Sequence, residues 1–357
     1  PDENPVISSA ISPDGKYLVY TAADGLYLRV VDSGESHRLE LPADISLTHS
    51  DLDWFPDGVH VLLAAQGAGI NTLWKLSIVG GTPRQLATDA IGAIISADGN
   101  TIAFIRSFFA GQIFAVGPEG ENPRLIVDQD VIAIRELAWS PDSRFILFGG
   151  SVLPCLRCTR MQAVDVSSGM VSDVLEDPRM FQSWRGHLPF YWMPDGRLLF
   201  GRAGLPPNDN ISNIWQAKIN PATAQLASEP SQLTQLTNVN VRSISASDNG
   251  RRVAFLFESN QADVYVGRLS DGGRQLTEVR RLTLDDRDDY PAGWLPDSSQ
   301  VLFDSARGAN RNIFVQALDS TEAVAIGNST VPNHGNAGLS PDGKLMLYWE
   351  NGDRLVR

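Results

Sequence analysis

An Asp, once replaced by Asn, in a tight turn followed by a short apolar run recurs eight times along the 357-residue chain. The anchoring residues are Asp14, Asp57, Asp98, Asp142, Asp195, Asn249, Asp297 and Asp342, at intervals of 43, 41, 44, 53, 54, 48 and 45 residues. An Asp or Asn side chain in a turn bonds its own following backbone, and a small residue after it eases the reversal. Three positions before the anchors stand Ile11, Trp54, Ile95, Trp139, Trp192, Ala246, Trp294 and Leu339, so four of the chain's eight tryptophans share one place. Six positions after them stand Tyr20, Leu63, Phe104, Phe148, Gly201, Phe255, Phe303 and Tyr348. The fifth repeat is one residue short there, and Phe200 takes the role. Large apolar groups at two fixed places suit the space between face-packed sheets. Each repeat is therefore expected to be a short antiparallel meander that buries its faces against its neighbours.

The period suits four-stranded blades, so the expected fold class is all-β, a β-propeller of antiparallel blades. Eight blades with the last incomplete is the expected count; seven plus a stub is the alternative. The runs ISPDG (11–15), WSPD (139–142), MPDG (193–196) and LSPDG (339–343) resemble the turn of the TolB-like, WD-repeat-like β-propeller family, and the resemblance covers essentially all of the chain. NIWQAKINPATAQLASEPSQLTQLT (213–237) and RRLTLDDRDDYPAGWLPDS (280–298) are similar to propellers attached to bacterial serine/threonine kinases and winged-helix regulators. That resemblance implies a non-enzymatic sensor or protein-interaction domain of a bacterial signalling protein, and it favours an extracytoplasmic, periplasmic setting. Two alternatives stay open: the accessory substrate-gating propeller of a prolyl-oligopeptidase-like peptidase, and a TolB-like periplasmic partner protein. A repeat motif specifies fold well and function poorly. Flanking sequence discriminates, since a serine elbow downstream favours the peptidase and a kinase or winged helix upstream favours the signalling protein.

A continuous repeat argues for one domain over 1–357, without a linker or low-complexity tract. The net charge of −13, with no basic cluster, argues against nucleic acid and anionic membrane as direct partners. No run approaches the ~18 apolar residues of a membrane span, so direct insertion by this stretch is not expected. Nor does the start read as a signal peptide; Pro1, Asp2 and Glu3 read like a fragment boundary. The two cysteines stand in Cys155-Leu156-Arg157-Cys158, half of a zinc site with no second pair to complete it. A plain loop, with or without a local disulfide, is favoured there over redox or metal chemistry.

Most connections are short, for example between expected strands 17–21 and 26–31 of the first repeat or 241–245 and 253–258 of the sixth, whose outer strands are expected at 263–269 and 279–283. Three insertions break this economy, at 149–158, 176–187 and 203–212. With strands running from inner to outer, second-to-third loops and inter-repeat loops share one face, which places all three insertions together. Long loops on a rigid scaffold carry binding more often than the scaffold does. The candidate binding residues on this face are Trp184, Arg185, His187, Arg157, Asn208 and Asp209, bordered by Phe108 and Phe109. The bland alternative is tolerated decoration with self-packed aromatics. An unknown protein or small-molecule ligand is the expected partner, at this face or at the channel mouth.

Eight positions before the anchors, His49, His187, Asp289 and His334 share one place near the start of the innermost strand. They are read either as a polar ring that meets a ligand at the channel mouth or, preferably, as caps of their own loops; a shared metal is not expected. The chain has no G-x-S-x-G elbow, no H-E-x-x-H and no phosphate loop, so no catalytic residue and no cofactor are expected. The acidic run 285–289 lacks the spacing and glycine of a calcium loop, and Arg287 within it favours a structural use.

Overall fold

The structure, a computed structural model, describes residues 5–41, 45–67, 69–106, 111–129, 132–152, 159–180, 188–205, 211–237, 239–259, 261–285, 287–305, 307, 311–326, 334–350 and 354–356. It is a β structure, with two three-residue 3-10 turns, Pro178–Met180 and Asp271–Gly273, as its helical elements among the described residues.

The turn chemistry explains the repeat. All eight anchors accept a hydrogen bond from the backbone N–H two residues on, at 2.8 to 3.2 Å. In five repeats a serine two positions earlier (Ser12, Ser96, Ser140, Ser247 and Ser340) donates its hydroxyl to the anchor. The same hydroxyl oxygen accepts the N–H of the first residue after the turn. The serine and the acid together replace the strand pairing that a reversal must interrupt. The residue after each anchor has a positive φ, glycine in six repeats and Ser143 or Ser298 in the others.

Every innermost strand ends at the tryptophan-type position, from Val6–Ile11 and Ile45–Trp54 through Asp289–Trp294 and His334–Leu339. Repeats one to five and seven are four-stranded antiparallel sheets with strands in sequence order, the blades of the expected all-β fold. The sixth repeat is divided into two two-stranded sheets, Asn240–Ala246 with Val253–Glu258 and Tyr265–Ser270 with Gln275–Arg281. Its outer strand therefore starts earlier than expected, after a turn through Asp271–Gly273. The eighth sheet has three strands, the last being Arg354–Val356.

The described residues form two compact units. Unit 1 takes in 1–203, 212–236 and 240–258. Its six innermost strands touch in succession, and the first, Val6–Ile11, packs against the Asn240–Ala246 and Val253–Glu258 pair, so the circuit closes within the unit. Trp54, Trp139 and Trp192 are buried between sheets, and Trp54 Nε1 donates to Ala10 O of the preceding repeat at 2.9 Å. Aromatic pairs link second and third strands at Tyr20–Tyr27 and Phe104–Phe114, with centroids 5.3 and 6.0 Å apart.

Unit 2 takes in 204–211, 237–239 and 259–357. Val264, Val266 and Leu282 pack on Val301, Phe303 and Phe314 of the seventh sheet. Leu302 and Ile313 pack with Ala337 of the eighth. Trp294 departs from the expected burial: it is 47 % exposed, because the cluster that covers Phe303 does not reach it.

Candidate functional site

Strand order puts the strand ends that flank the three insertions at one end of the fourth and fifth sheets. The first joins Phe145–Val152 to Thr159–Asp165, the second joins Val171–Glu176 to Phe190–Trp192, and the third joins Arg197–Ala203 to Ser212–Lys218. Trp184, Arg185, His187, Arg157, Asn208, Asp209, Phe108 and Phe109 lie outside the described residues, as do Cys155 and Cys158. The root of the longest insertion is described, and it is built.

Asp177 N–H donates to Thr159 O, and Met180 N–H closes the next turn on Asp177 O. The Asp177 carboxylate takes Arg179 on one side at 3.3 Å and Arg202, from the second strand of the fifth sheet, on the other at 2.5 Å. Arg202 in turn stacks over Trp215 at 4.4 Å. Met180 is buried in the apolar cluster shared by the two sheets. A carboxylate that is nearly excluded from water and held by two guanidiniums fixes where this loop leaves the scaffold.

Of the polar row near the start of the innermost strands, Asp289 is described in full. It is completely buried, and Arg307 donates to its Oδ2 at 2.9 Å. Arg307 also reaches Asp285 at 2.9 Å and lies over Phe303 and Phe314. Burial pushes the Asp289 carboxyl up, against the hydroxyls of Ser305 and Thr283 and the charge of Arg307. Asp289 thus stands inside its own repeat, tied to its own loops. His49 and His334 lie within innermost strands Ile45–Trp54 and His334–Leu339, and His187 lies outside the described residues. The acidic run beside Asp289 is likewise spent on the fold: Asp288 accepts the Ala262 N–H, and Asp285 accepts the Arg287 N–H.

A second polar feature is not anticipated by the motifs. Asp51 and Asp53 of the second repeat, Glu136 of the fourth, Tyr191 of the fifth and Asp248 of the sixth all belong to the innermost strands or the turn after one. Asp53 accepts from its neighbour Trp54 N–H at 2.8 Å and from Ile95 N–H of the third repeat at 2.9 Å; Asp51 accepts from Gly92 N–H at 3.1 Å. These carboxylates cover the edge N–H groups of the adjoining innermost strand.

Enclosure pushes Asp53 up to about 6 and Glu136 well above the ordinary carboxylate range, with the charge of Asp51 adding to the rise at Glu136 and that of Asp248 to the rise at Asp53. Tyr191 is raised by burial and by the charges of Asp53 and Asp248. Repeats two and four are thus coupled by charge through Asp51 and Glu136, and repeats two, five and six through Asp53, Tyr191 and Asp248. Asp53, Glu136 and Tyr191 are half-buried, and Asp51 and Asp248 are exposed. An acidic row of this kind favours cations and basic groups over anions.

The signal for this row is present in the sequence. Asp51 and Glu136 both stand six positions before their anchors, and Asp53 and Tyr191 both stand four before theirs. Register shifts interrupt the pairing of innermost and second strands in seven repeats, including that between Ile134 and Glu136. Bulges of this kind re-aim side chains, which strict alternation does not anticipate. Among the described residues no group of three or more His, Cys, Asp or Glu is placed to hold a metal ion.

No family model matches the chain, and no curated protein matches it. Solved structures similar to it include TolB from Acinetobacter baumannii, at 13 % identity over 90 % of this chain and 77 % of that one, with a TM-score of 0.41. Kuenenia stuttgartiensis hydrazine synthase matches at 13 % identity over 100 % and 96 %, with a TM-score of 0.49. The tricorn protease matches at 13 % identity over 99 % of this chain and 39 % of its own, also at 0.49. Likeness at this level assigns no activity to the chain.

Proposed function

We propose that the chain is a non-enzymatic binding module, the sensor or protein-interaction part of a bacterial signalling protein, acting as one functional domain over 1–357. Its ligand-facing surface is the insertion face of repeats four and five. The observation that carries this reading is the pinned root of the 176–187 insertion, where Asp177, Arg179 and Arg202 form a charged staple at the rim of an apolar core. A loop kept only as decoration has no need of a buried anchor, whereas a recognition loop gains affinity from being held in place. Tryptophan and arginine, the types most enriched among binding hot spots, stand at 184 and 185 beyond that anchor.

The test compares binding by two double variants to a partner recovered by crosslinking. Trp184→Ala with Arg185→Ala weakens binding by about 2 kcal/mol, roughly thirtyfold in Kd. Lys16→Ala with Lys344→Ala, at the opposite, turn-bearing ends of their sheets, leaves it unchanged. Equal losses from both variants, or none from the first, defeat the reading.

A further inference from the structure

The six sheets of unit 1 meet at six seams, and one of them is unlike the rest. Buried apolar clusters join repeats one and two through Leu26 and Trp54, two and three through Leu62 and Phe104, and three and four through Ile105 and Phe148. Others join four and five through Met161 and Phe200, and five and six through Leu199 and Ile244. Among the described residues no such cluster joins six to one.

The bonded contacts at that closing seam are polar. Ile11 N–H donates to Ser245 Oγ at 3.1 Å, and Asp248 N–H donates to Pro13 O at 2.8 Å. Arg252 donates to Gly15 O at 2.9 Å and to Asp32 at 2.7 Å. The side chains of Arg252 and Asp32 are 42 % and 73 % exposed, so their attraction is screened by water and by salt. Apolar burial is the dominant adhesive between sheets, and hydrogen bonds exchanged with water contribute far less.

We infer that the seam between the first sheet and the Asn240–Ala246/Val253–Glu258 pair is a polar latch at which unit 1 opens locally, ahead of global unfolding. The latch loosens as ionic strength rises, because its charged arm is exposed and, among the described residues, no buried apolar cluster backs it as one backs the ion pairs of Lys75 and Arg84 with Glu119 between repeats two and three.

Residue-resolved hydrogen exchange on the full chain under native conditions tests this at low salt and at about 0.5 M salt, where screening acts within a few Å. The amides of Ile11 and Asp248 cross the latch; those of Gly92 and Ile95 are bonded to side chains across the apolar seam between repeats two and three. The expected result is that Ile11 and Asp248 exchange about tenfold faster or more. The gap widens with salt, and Arg252→Ala widens it further while Gly92 and Ile95 keep their protection. Equal exchange at all four amides overturns the inference. So does a gap that salt leaves unchanged, or loss of protection at all four together in Arg252→Ala.

Discussion

Asp177 and Arg202 meet at 2.5 Å across the gap between the fourth and fifth sheets, with Arg179 on the same carboxylate. The Asp177 and Arg202 side chains are 9 % and 13 % exposed, so neither is fully solvated once its partner is gone. Removing one member of such a pair costs more than the pair contributes, because a poorly hydrated charge is left behind. Arg202→Ala is expected to destabilise the protein by about 1–3 kcal/mol, and Asp177→Ala by a similar amount. The double variant should cost less than the two losses added together, with a coupling of about 1 kcal/mol. Denaturant titration of the four proteins checks it, and additive losses would show that the two residues act separately.

The second expectation concerns the residue after the turn acid. Ser298 has φ 56°, where six other repeats place glycine. Ser298→Gly should raise stability by about 0.5–1 kcal/mol by relieving a left-handed backbone. Gly196→Ala should lower it by about 1 kcal/mol or more, although the added methyl meets nothing closer than Ile219 O at 3.9 Å. Thermal melts of both variants decide the matter. Opposite signs are expected, and a neutral Gly196→Ala would refute the strain argument.

Much of this is legible in the sequence because it is local. The turn acids, the strand-ending apolar positions and the substitution of Phe200 for Gly201 follow from Asx-turn chemistry and a count of residues, and each lies where that count places it. The serine at Ser12, Ser96, Ser140, Ser247 and Ser340 is visible too, but its double role appears only with geometry. The outer strand Gln275–Arg281 lies away from its expected place because it is mostly exposed and carries no apolar pattern to register it. Buried Asp289 stands out by its repeat position, whereas its Arg307 partner does not, because the ion pair depends on the hairpin register that sets Asp289 opposite Ser305.

The third expectation is a pH profile. Asp53 is raised to about 6 and Glu136 is raised well above its ordinary value, so the folded protein binds these protons more tightly than the unfolded chain does. A raised carboxyl makes stability fall as pH rises through the interval between its unfolded and folded values, here from about 4 to about 6 for Asp53. The turn acids Asp14, Asp57, Asp98, Asp195, Asp297 and Asp342 are lowered, so what they contribute is present above the unfolded value and is lost at more acid pH. The melting temperature should therefore peak in the weakly acidic range and drop toward pH 7. Asp53→Asn with Glu136→Gln should flatten the drop. A wild-type melting temperature that climbs from pH 5 to pH 7 contradicts this.

The fourth expectation is chemical. The eight turn anchors are committed to backbone N–H groups, and Asp177, Asp285 and Asp289 to arginines. Purified protein at high concentration should show no turnover of ester, peptide or phosphoester substrates. Turnover that scales with protein through active-site titration would overturn the non-enzymatic reading.

The central claim is that recognition occurs on the insertion face of repeats four and five. It is tested most directly by placing a photoreactive side chain at position 184, at position 208, at position 16 or at position 344, one per protein. Irradiating each in an extract of the parent cell and mapping the adducts locates the contact whatever the partner proves to be. The account predicts a single major adduct shared by positions 184 and 208 and absent from 16 and 344. An adduct concentrated at 16 or 344, or spread evenly over all four, would contradict it.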